Sequence, residues 1–133
     1  MGILDRFKKK EPLKTVPATK EPSIFKKICG DDNQLAEELS YVIFLRPEGR
    51  GTYEQAMERA KDIEEAGRLE RAIAEYRDAG YLALYEGNVA GVKRAFNKVA
   101  ELSDRKFERI RAIPETAVEK TKEYYDYLKQ ISK

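Results

Sequence analysis

Cysteine and histidine are the residues whose chemistry a sequence reveals most readily, and this chain has almost none of it. Its 133 residues include one cysteine, Cys29, and no histidine. The lack of histidine removes Ser–His and Cys–His nucleophile pairs, nearly all zinc sites and the Glu-x-x-His ligands of di-iron bundles. A lone cysteine cannot close an internal disulfide, which favours a reducing compartment. We therefore predict no catalytic residue, no cofactor and no metal site, and interpret Cys29 as a small apolar residue near a helix end.

Carboxylates are the remaining candidates for catalysis. Two carboxylates divide the roles of acid and base when burial or mutual repulsion shifts their pKa values. Here the acids alternate with Arg and Lys at helical spacing, which predicts a solvated surface with salt bridges. The residues concerned are Glu64, Glu65, Glu70, Glu75 and Asp78. The glycine-rich stretch 48–51 lacks the Gly-Lys-Ser/Thr ending of a phosphate-binding loop, so we interpret it as a turn.

Charge is distributed unevenly along the chain. Residues 1–28 hold eight basic and three acidic residues, a net charge of +5, whereas residues 29–133 carry about −3. A nucleic-acid-binding body normally shows a basic face, so nucleic acid is an unlikely partner. Few Asn, Gln, Met and Cys residues beside abundant Lys, Arg and Glu resemble the composition of heat-adapted proteins.

The first ten residues form a candidate membrane-contact segment. If they are helical, the apolar side chains lie on one side and basic ones surround them, a pattern suited to an anionic membrane interface. The residues are Ile3, Leu4, Phe7, Lys8, Lys9 and Lys10. The alternative is a terminus that contacts no lipid. With no apolar run of ~18 residues and no signal peptide, the predicted location is the cytoplasm, in contact with the inner membrane face if the segment binds lipid.

Proline content divides the chain. Residues 8–22 contain three prolines and few apolar groups, which favours a flexible linker. We predict a basic N-terminal arm over residues 1–22 and a single helical domain over residues 23–133. A short helical turn at residues 23–29 precedes the larger helices and ends at Gly30.

From residue 31 onward, apolar residues recur at steps of three and four, which predicts successive amphipathic helices. Asp31 or Asp32, Thr52 with Gln55, and Asn88 are predicted N-caps. Pro114 suits the first turn of the last helix. Ser103-Asp104 either restarts a shorter helix or leaves two helices continuous. The fold class is all-α, an antiparallel bundle of five to six helices.

Two helices have a predicted stripe of core residues and further apolar residues beside that stripe. The helix over about 68–86 has its stripe at Leu69, Ala72, Ile73, Tyr76, Ala79 and Ala83, and the last helix has its stripe at Ala117, Thr121, Tyr124, Leu128 and Ile131. Gly80 most simply permits another helix to approach closely. Aromatic and aliphatic residues beside these stripes are either covered by other helices or contact a partner. The predicted partner-binding residues are Tyr81, Leu82, Tyr85, Tyr124, Tyr125 and Tyr127.

The stretch from Gly67 to Ala79 resembles the second helix of a tetratricopeptide hairpin. Ala72, Tyr76 and Ala79 stand at the family's small, aromatic and small positions, and Ala60 and Ile63 match its first helix. A second and weaker match to this pattern follows Gly87. Gly87 comes only 20 residues after Gly67, whereas the family's repeat is about 34 residues. The resemblance implies hairpin packing over about residues 53–102.

The same helix is also similar to the middle helix of microtubule-interacting-and-trafficking domains, through Glu70, Ala72, Tyr76 and Ala79. That resemblance implies a bundle that binds helical peptides between its helices. We therefore expect a small non-catalytic adaptor that binds a protein partner in an inter-helix groove. The alternative is a structural subunit of a homo-oligomer with no separate ligand.

Overall fold

The computed structural model describes residues 20–43 and 49–131, and these form a bundle of α-helices without a β-strand. The described residues contain seven helices: α1 (Lys20–Cys29), α2 (Asn33–Val42), α3 (Tyr53–Glu65), α4 (Leu69–Glu86), α5 (Val89–Leu102), α6 (Glu108–Ala112) and α7 (Pro114–Ile131). The predicted all-α class is confirmed. The helix count exceeds the predicted five to six because the short helices α1 and α6 are separate elements. Within the described residues no helix has the length and apolar character needed to cross a membrane.

Side-chain caps set the starts of three helices, as their sequence predicts. The Asp32 carboxylate accepts a hydrogen bond from the Leu35 N–H and caps α2. Thr52 and Gln55 form the reciprocal capping box at the start of α3. Asn88 accepts from the Gly91 N–H at the start of α5. Each cap satisfies a backbone donor that has no partner within its own helix, so these boundaries are decided locally.

At the connection after α5 the sequence left two alternatives. Ser103 ends α5 in an extended conformation, and Phe107 adopts left-handed geometry at φ 45° before α6 begins. The helix therefore does not run on, and residues 103–107 form a non-helical connection. A non-glycine residue with positive φ is strained by roughly 1–3 kcal/mol, so tertiary packing must hold Phe107 in place.

Helix α4 is the centre of the bundle and packs most extensively against α3 and α5. Its C-terminal half is buried on every side, from Ala79 through Leu84. A Cβ atom on Gly80 would lie 2.5 Å from the Phe96 ring, so the predicted close approach at this glycine is confirmed. The absence of a side chain at Gly80 thus lets the Phe96 ring of α5 pack directly on the backbone of α4.

Helices α1, α2, α6 and α7 complete the bundle. Phe25 of α1 stacks on Tyr124 of α7 with ring centroids 4.4 Å apart. Helix α7 also contacts α4 and α5, and α2 contacts α1 and α6. The N-terminal helices therefore belong to the same hydrophobic core as the α3–α4–α5 helices.

Three details differ from the sequence-based expectations. Helix α1 begins at Lys20, inside the arm predicted to end at residue 22, because proline is tolerated in the first turn of a helix. Leu69 and Ile131 were expected in the core stripes but are 50% and 61% exposed. Both stand at a terminal position of their helix, where the helical periodicity continues but no neighbouring helix covers it.

Candidate functional site

An open cleft of about 960 Å³ lies between α2 and the connection that follows α5. One wall consists of α2 residues and the other of the connection and the first residue of α6. The lining residues are Gln34, Glu37, Glu38, Ser40, Tyr41, Asp104, Arg105, Lys106, Phe107 and Glu108. We name this the α2 cleft.

Phe107 forms the floor of the α2 cleft. It is 5% exposed, and its ring centroid lies 4.9 Å from that of Phe96 and 6.1 Å from that of Tyr41. Burial of an aromatic side chain offsets the cost of its left-handed backbone. Its ring contacts with Tyr41 of α2 and Phe96 of α5 therefore hold the connection beside α2.

Two carboxylates of α2 hold the start of α6. Glu38 accepts hydrogen bonds from the backbone N–H groups of Ile110, at 2.9 Å, and Arg109, at 3.2 Å. Asp32 accepts from both Nη2 and Nε of the Arg109 guanidinium, at 2.6 and 3.1 Å. The hydrogen bond from Arg109, followed by that from the Leu35 N–H, holds the pKa of Asp32 below its ordinary value. These contacts join the two walls at the base of the cleft.

Tyr41 is the aromatic residue that the α2 cleft presents to solvent. Its side chain is 47% exposed, and the Arg105 guanidinium carbon lies 3.8 Å from its ring centroid. Stacking on a guanidinium orients a tyrosine ring that its own helix does not bury. An oriented, half-exposed aromatic ring is a common contact residue in protein interfaces.

The basic residues of the α2 cleft serve the fold, whereas three of its acidic residues do not. Lys106 donates to the carbonyl oxygens of Ala100, at 2.9 Å, and Ser103, at 3.2 Å, near the C-terminal end of α5. Three side chains, those of Glu37, Asp104 and Glu108, are exposed and make no ion pair with any described residue. The lining of the cleft has four acidic residues against two basic ones, so its net charge is negative.

Sequence analysis did not single out the α2 cleft. Tyr41 lies off the apolar stripe Leu35–Leu39–Val42, and this position beside the stripe was the one available signal. Its neighbour Arg105 is 64 positions further along the chain. A pairing at that separation leaves no periodicity in the sequence.

The six residues predicted to bind a partner divide into buried and exposed groups. Tyr81, Leu82 and Tyr124 are buried, at 0%, 2% and 2% exposure, whereas Tyr85 and Tyr127 are 48% and 39% exposed. Tyr125 is half-buried, and its hydroxyl lies 2.7 Å from that of Tyr81. In this conformation only Tyr85, Tyr125 and Tyr127 are available to a partner. The idea that they bind one stays a prediction.

The tyrosines of α4 and α7 form one cluster. Ring centroids of Tyr85 and Tyr125 are 5.3 Å apart, as are those of Tyr124 and Tyr125. Burial, and then the hydrogen bond with Tyr81, raise the pKa of Tyr125 far above its ordinary range. The Tyr125 hydroxyl remains protonated at neutral pH, which suits a hydrogen-bonding role in holding α7 on α4.

The acids predicted to be solvated also differ among themselves. Glu64 accepts hydrogen bonds from the Tyr76 hydroxyl at 2.6 Å and from Lys98 Nζ at 3.1 Å. The bond from Tyr76 is the main cause of the lowered pKa of Glu64. Asp78 contradicts the solvated interpretation, because burial raises its pKa despite the nearby guanidinium groups of Arg77 and Arg50. It lines a small cavity of about 190 Å³ together with Arg50 and Arg59.

Nucleophiles and metal ligands receive no support among the described residues. The Cys29 thiol is half-buried, and burial raises its pKa to about 11, which keeps it protonated at neutral pH. No group of three or more Cys, Asp or Glu side chains in residues 20–43 and 49–131 is arranged to hold a metal ion. The predicted membrane-contact residues Ile3, Leu4, Phe7, Lys8, Lys9 and Lys10 lie outside the described residues.

No protein-family model matches the chain, and neither curated proteins nor solved structures show a significant match to it.

Proposed function

We propose that this chain is a small non-catalytic adaptor that binds an extended or helical segment of a protein partner in the α2 cleft. The observation that carries the proposal is the half-exposed Tyr41 ring, held against Arg105 in an open cleft of about 960 Å³. Grooves between helices accept peptide segments by burying a few anchor side chains beside an aromatic residue. The cleft has a volume of about 960 Å³, and Phe107 and Tyr41 give its lining an apolar part.

The resemblance to tetratricopeptide hairpins and to trafficking-type bundles adds a second line of support. Helices α3 and α4 are joined by the short turn at Gly67, with Ala60, Ala72 and Ala79 buried at 0% exposure. We propose that this is tetratricopeptide-like hairpin packing. In the proposed arrangement it serves as the rigid body on which α2 and the connection form the binding cleft.

The proposed location is the cytoplasm, with the N-terminal segment attaching the adaptor to an anionic membrane at its inner face. The charge of +5 in residues 1–28 and the apolar residues Ile3, Leu4 and Phe7 support this part of the proposal. Three apolar side chains provide only weak attachment, because the burial of each stabilises binding by roughly 1.5–3 kcal/mol at most. Nucleic acid is not the proposed partner, because residues 29–133 carry a net negative charge.

Site-specific photo-crosslinking in the source cells tests the proposal. A photoreactive residue replaces Ser40 inside the α2 cleft, and a matched one replaces Glu58, an exposed residue of α3 that lies outside it. We expect a defined partner segment to be crosslinked from position 40 only. The Tyr41→Ala variant should then bind that segment at least about tenfold more weakly while its helical circular dichroism is unchanged. Equal crosslinking from both positions, or wild-type binding by Tyr41→Ala, would reject the cleft.

The alternative function is a structural subunit of a homo-oligomer. The exposed Tyr85, Tyr127 and Ile131 on α4 and α7 favour it, since large exposed hydrophobic residues are commonly covered in oligomers. Sedimentation at micromolar concentration distinguishes the two functions. A wild-type dimer that becomes monomeric in the Tyr85→Ser/Tyr127→Ser variant would support self-assembly. A monomeric wild type would favour the adaptor function.

A further inference from the structure

We infer that the α2 cleft selects a cationic segment, one that carries Lys or Arg residues next to an apolar anchor. The inference rests on the proposed function, because it specifies the chemistry of the segment that the same cleft binds. The inference follows from the contacts of the charged side chains around the cleft. The basic side chains are bonded within the fold, whereas three acidic side chains are not.

The two cationic residues that line the α2 cleft are both engaged. Lys106 donates to carbonyl oxygens at the end of α5, and the Arg105 guanidinium lies on the Tyr41 ring. Arg109 is paired with Asp32. Arg111 donates to the Asn97 side chain at 2.8 Å and to the Lys106 carbonyl oxygen at 3.1 Å. These groups cannot turn toward an anionic ligand without giving up contacts that hold the connection.

The acidic groups are only partly engaged. Glu38 caps α6, but Glu37, Asp104 and Glu108 are exposed around the α2 cleft. Glu37 stands on α2, and the other two carboxylates stand on the opposite wall. A segment in the cleft therefore passes between carboxylates on both sides.

Tyr41 supplies the contact for the apolar anchor of the segment. Aromatic faces attract guanidinium groups through the ring quadrupole, and two of them already lie near this ring. The Arg105 guanidinium is 3.8 Å and that of Arg77 5.7 Å from its centroid. The side chain is nevertheless 47% exposed, so an apolar residue of the segment can pack on its open part while the neighbouring Lys or Arg residues pair with the carboxylates.

Acidic and neutral segments fit the α2 cleft less well than a basic one. An acidic segment would place like charges beside three carboxylates, which disfavours binding. A neutral segment would remove water from those carboxylates without giving them a partner, and unpaired desolvated charges are costly. Charge complementarity therefore favours a basic segment over both.

Selection from a library of random 12-residue peptides, displayed on phage and applied to the full chain, tests the inference. We expect the enriched peptides to carry net positive charge with one or more aliphatic or aromatic residues. The best peptide, made synthetically, should bind more weakly as salt increases. Its Kd should rise at least about tenfold for the cleft variant Glu37→Lys/Asp104→Lys/Glu108→Lys.

A matched variant separates local from general charge effects. Glu58→Lys/Asp62→Lys/Glu65→Lys makes the same change of charge on exposed positions of α3, away from the α2 cleft. Binding should stay within about twofold of wild type for this control. Equal weakening by both variants would show that the attraction is not local and would overturn the inference.

The remaining outcomes distinguish the two proposals. If the enriched peptides are neutral or acidic and bind the Tyr41→Ala variant more weakly than the wild type, the charge preference is wrong. The adaptor function is then still supported. If no selected peptide depends on Tyr41 and position 40 crosslinks no partner segment, the proposed function fails and the inference fails with it.

Discussion

Asp32 and Arg109 lie 77 positions apart in the chain, yet the carboxylate of one accepts two hydrogen bonds from the guanidinium of the other, with the shorter at 2.6 Å. Asp32 caps α2, and Arg109 stands in the first turn of α6. One carboxylate thus serves a local helix cap and a long-range ion pair. This pair and the Glu38 hydrogen bonds fix the connection that forms one wall of the α2 cleft.

We expect Asp32→Asn to destabilise the protein by roughly 0.5–1 kcal/mol at neutral pH, because an amide keeps the cap but loses the ion pair. The pKa of Asp32 is lower in the folded state. Its stabilisation is therefore present above the unfolded-state pKa and is lost as the pH falls through the folded-state value. Urea unfolding of both proteins from pH 7 down to about pH 2 should show their difference shrinking below about pH 4. Asp31→Asn, at the adjacent exposed position, is the control, and an equal effect there would contradict the ion-pair argument.

Gly80→Ala should destabilise the protein by about 1–3 kcal/mol, although alanine favours helix formation by ~1 kcal/mol over glycine. The new Cβ would lie 2.5 Å from the Phe96 ring, so α4 and α5 must separate or the ring must move. Thermal or urea unfolding measures the change. In Gly80→Ala/Phe96→Leu the smaller side chain makes room, so the double variant should be more stable than the sum of the single changes predicts. Simple additivity would show that the Phe96 contact is not the cause.

Asp78→Asn should stabilise the protein at neutral pH, the opposite of Asp32→Asn. Burial raises the pKa of Asp78 in the folded state, so folding disfavours its ionised form. This destabilisation is absent below the unfolded-state pKa and develops as the pH rises through the folded-state value. The gain in unfolding free energy of the variant should therefore be present at pH 7 and vanish in acid. Asp62→Asn, at an exposed position of α3, should show no such gain. A loss of stability in Asp78→Asn at pH 7 would mean that a favourable ion pair outweighs burial.

Cys29 should react slowly with iodoacetamide. Burial raises its pKa to about 11, so at pH 8 its thiolate fraction is about 100-fold below that of an ordinary cysteine. Mass spectrometry of alkylated protein should show a rate that keeps rising up to about pH 11. The urea-denatured chain provides the reference rate. Rapid labelling of the folded chain at neutral pH would show that the thiol is activated and would reopen a redox role.

Much of the fold follows from local sequence signals. The caps at Asp32, Thr52 and Asn88 depend on side chains that reach only three residues along the chain. The turn at Gly67 and the close approach at Gly80 follow from a residue type that tolerates positive φ or lacks a Cβ. Such signals act within one helix or one turn, so a single sequence contains them.

The candidate site could not be predicted in the same way. In the sequence Tyr41 is one of several aromatic residues, and only the fold places Arg105 and Phe107 beside it. Conversely, Tyr81 and Leu82 have the pattern of an exposed second face, and they are buried because other elements of the fold cover that side of α4. Burial depends on which helices meet, and that is decided by long-range packing.

The sequence by itself determined the helical class, most helix boundaries and the absence of histidine-based chemistry, because composition, caps and periodicity are properties of the chain. Only the tertiary structure decided which charges remain available around the α2 cleft. Lys106 and Arg109 are equivalent to any other basic residues in the sequence, but folding places them against carbonyl oxygens and a carboxylate. The same folding leaves Glu37, Asp104 and Glu108 exposed. A charge is available to a ligand only if no nearer group in the fold has already paired with it.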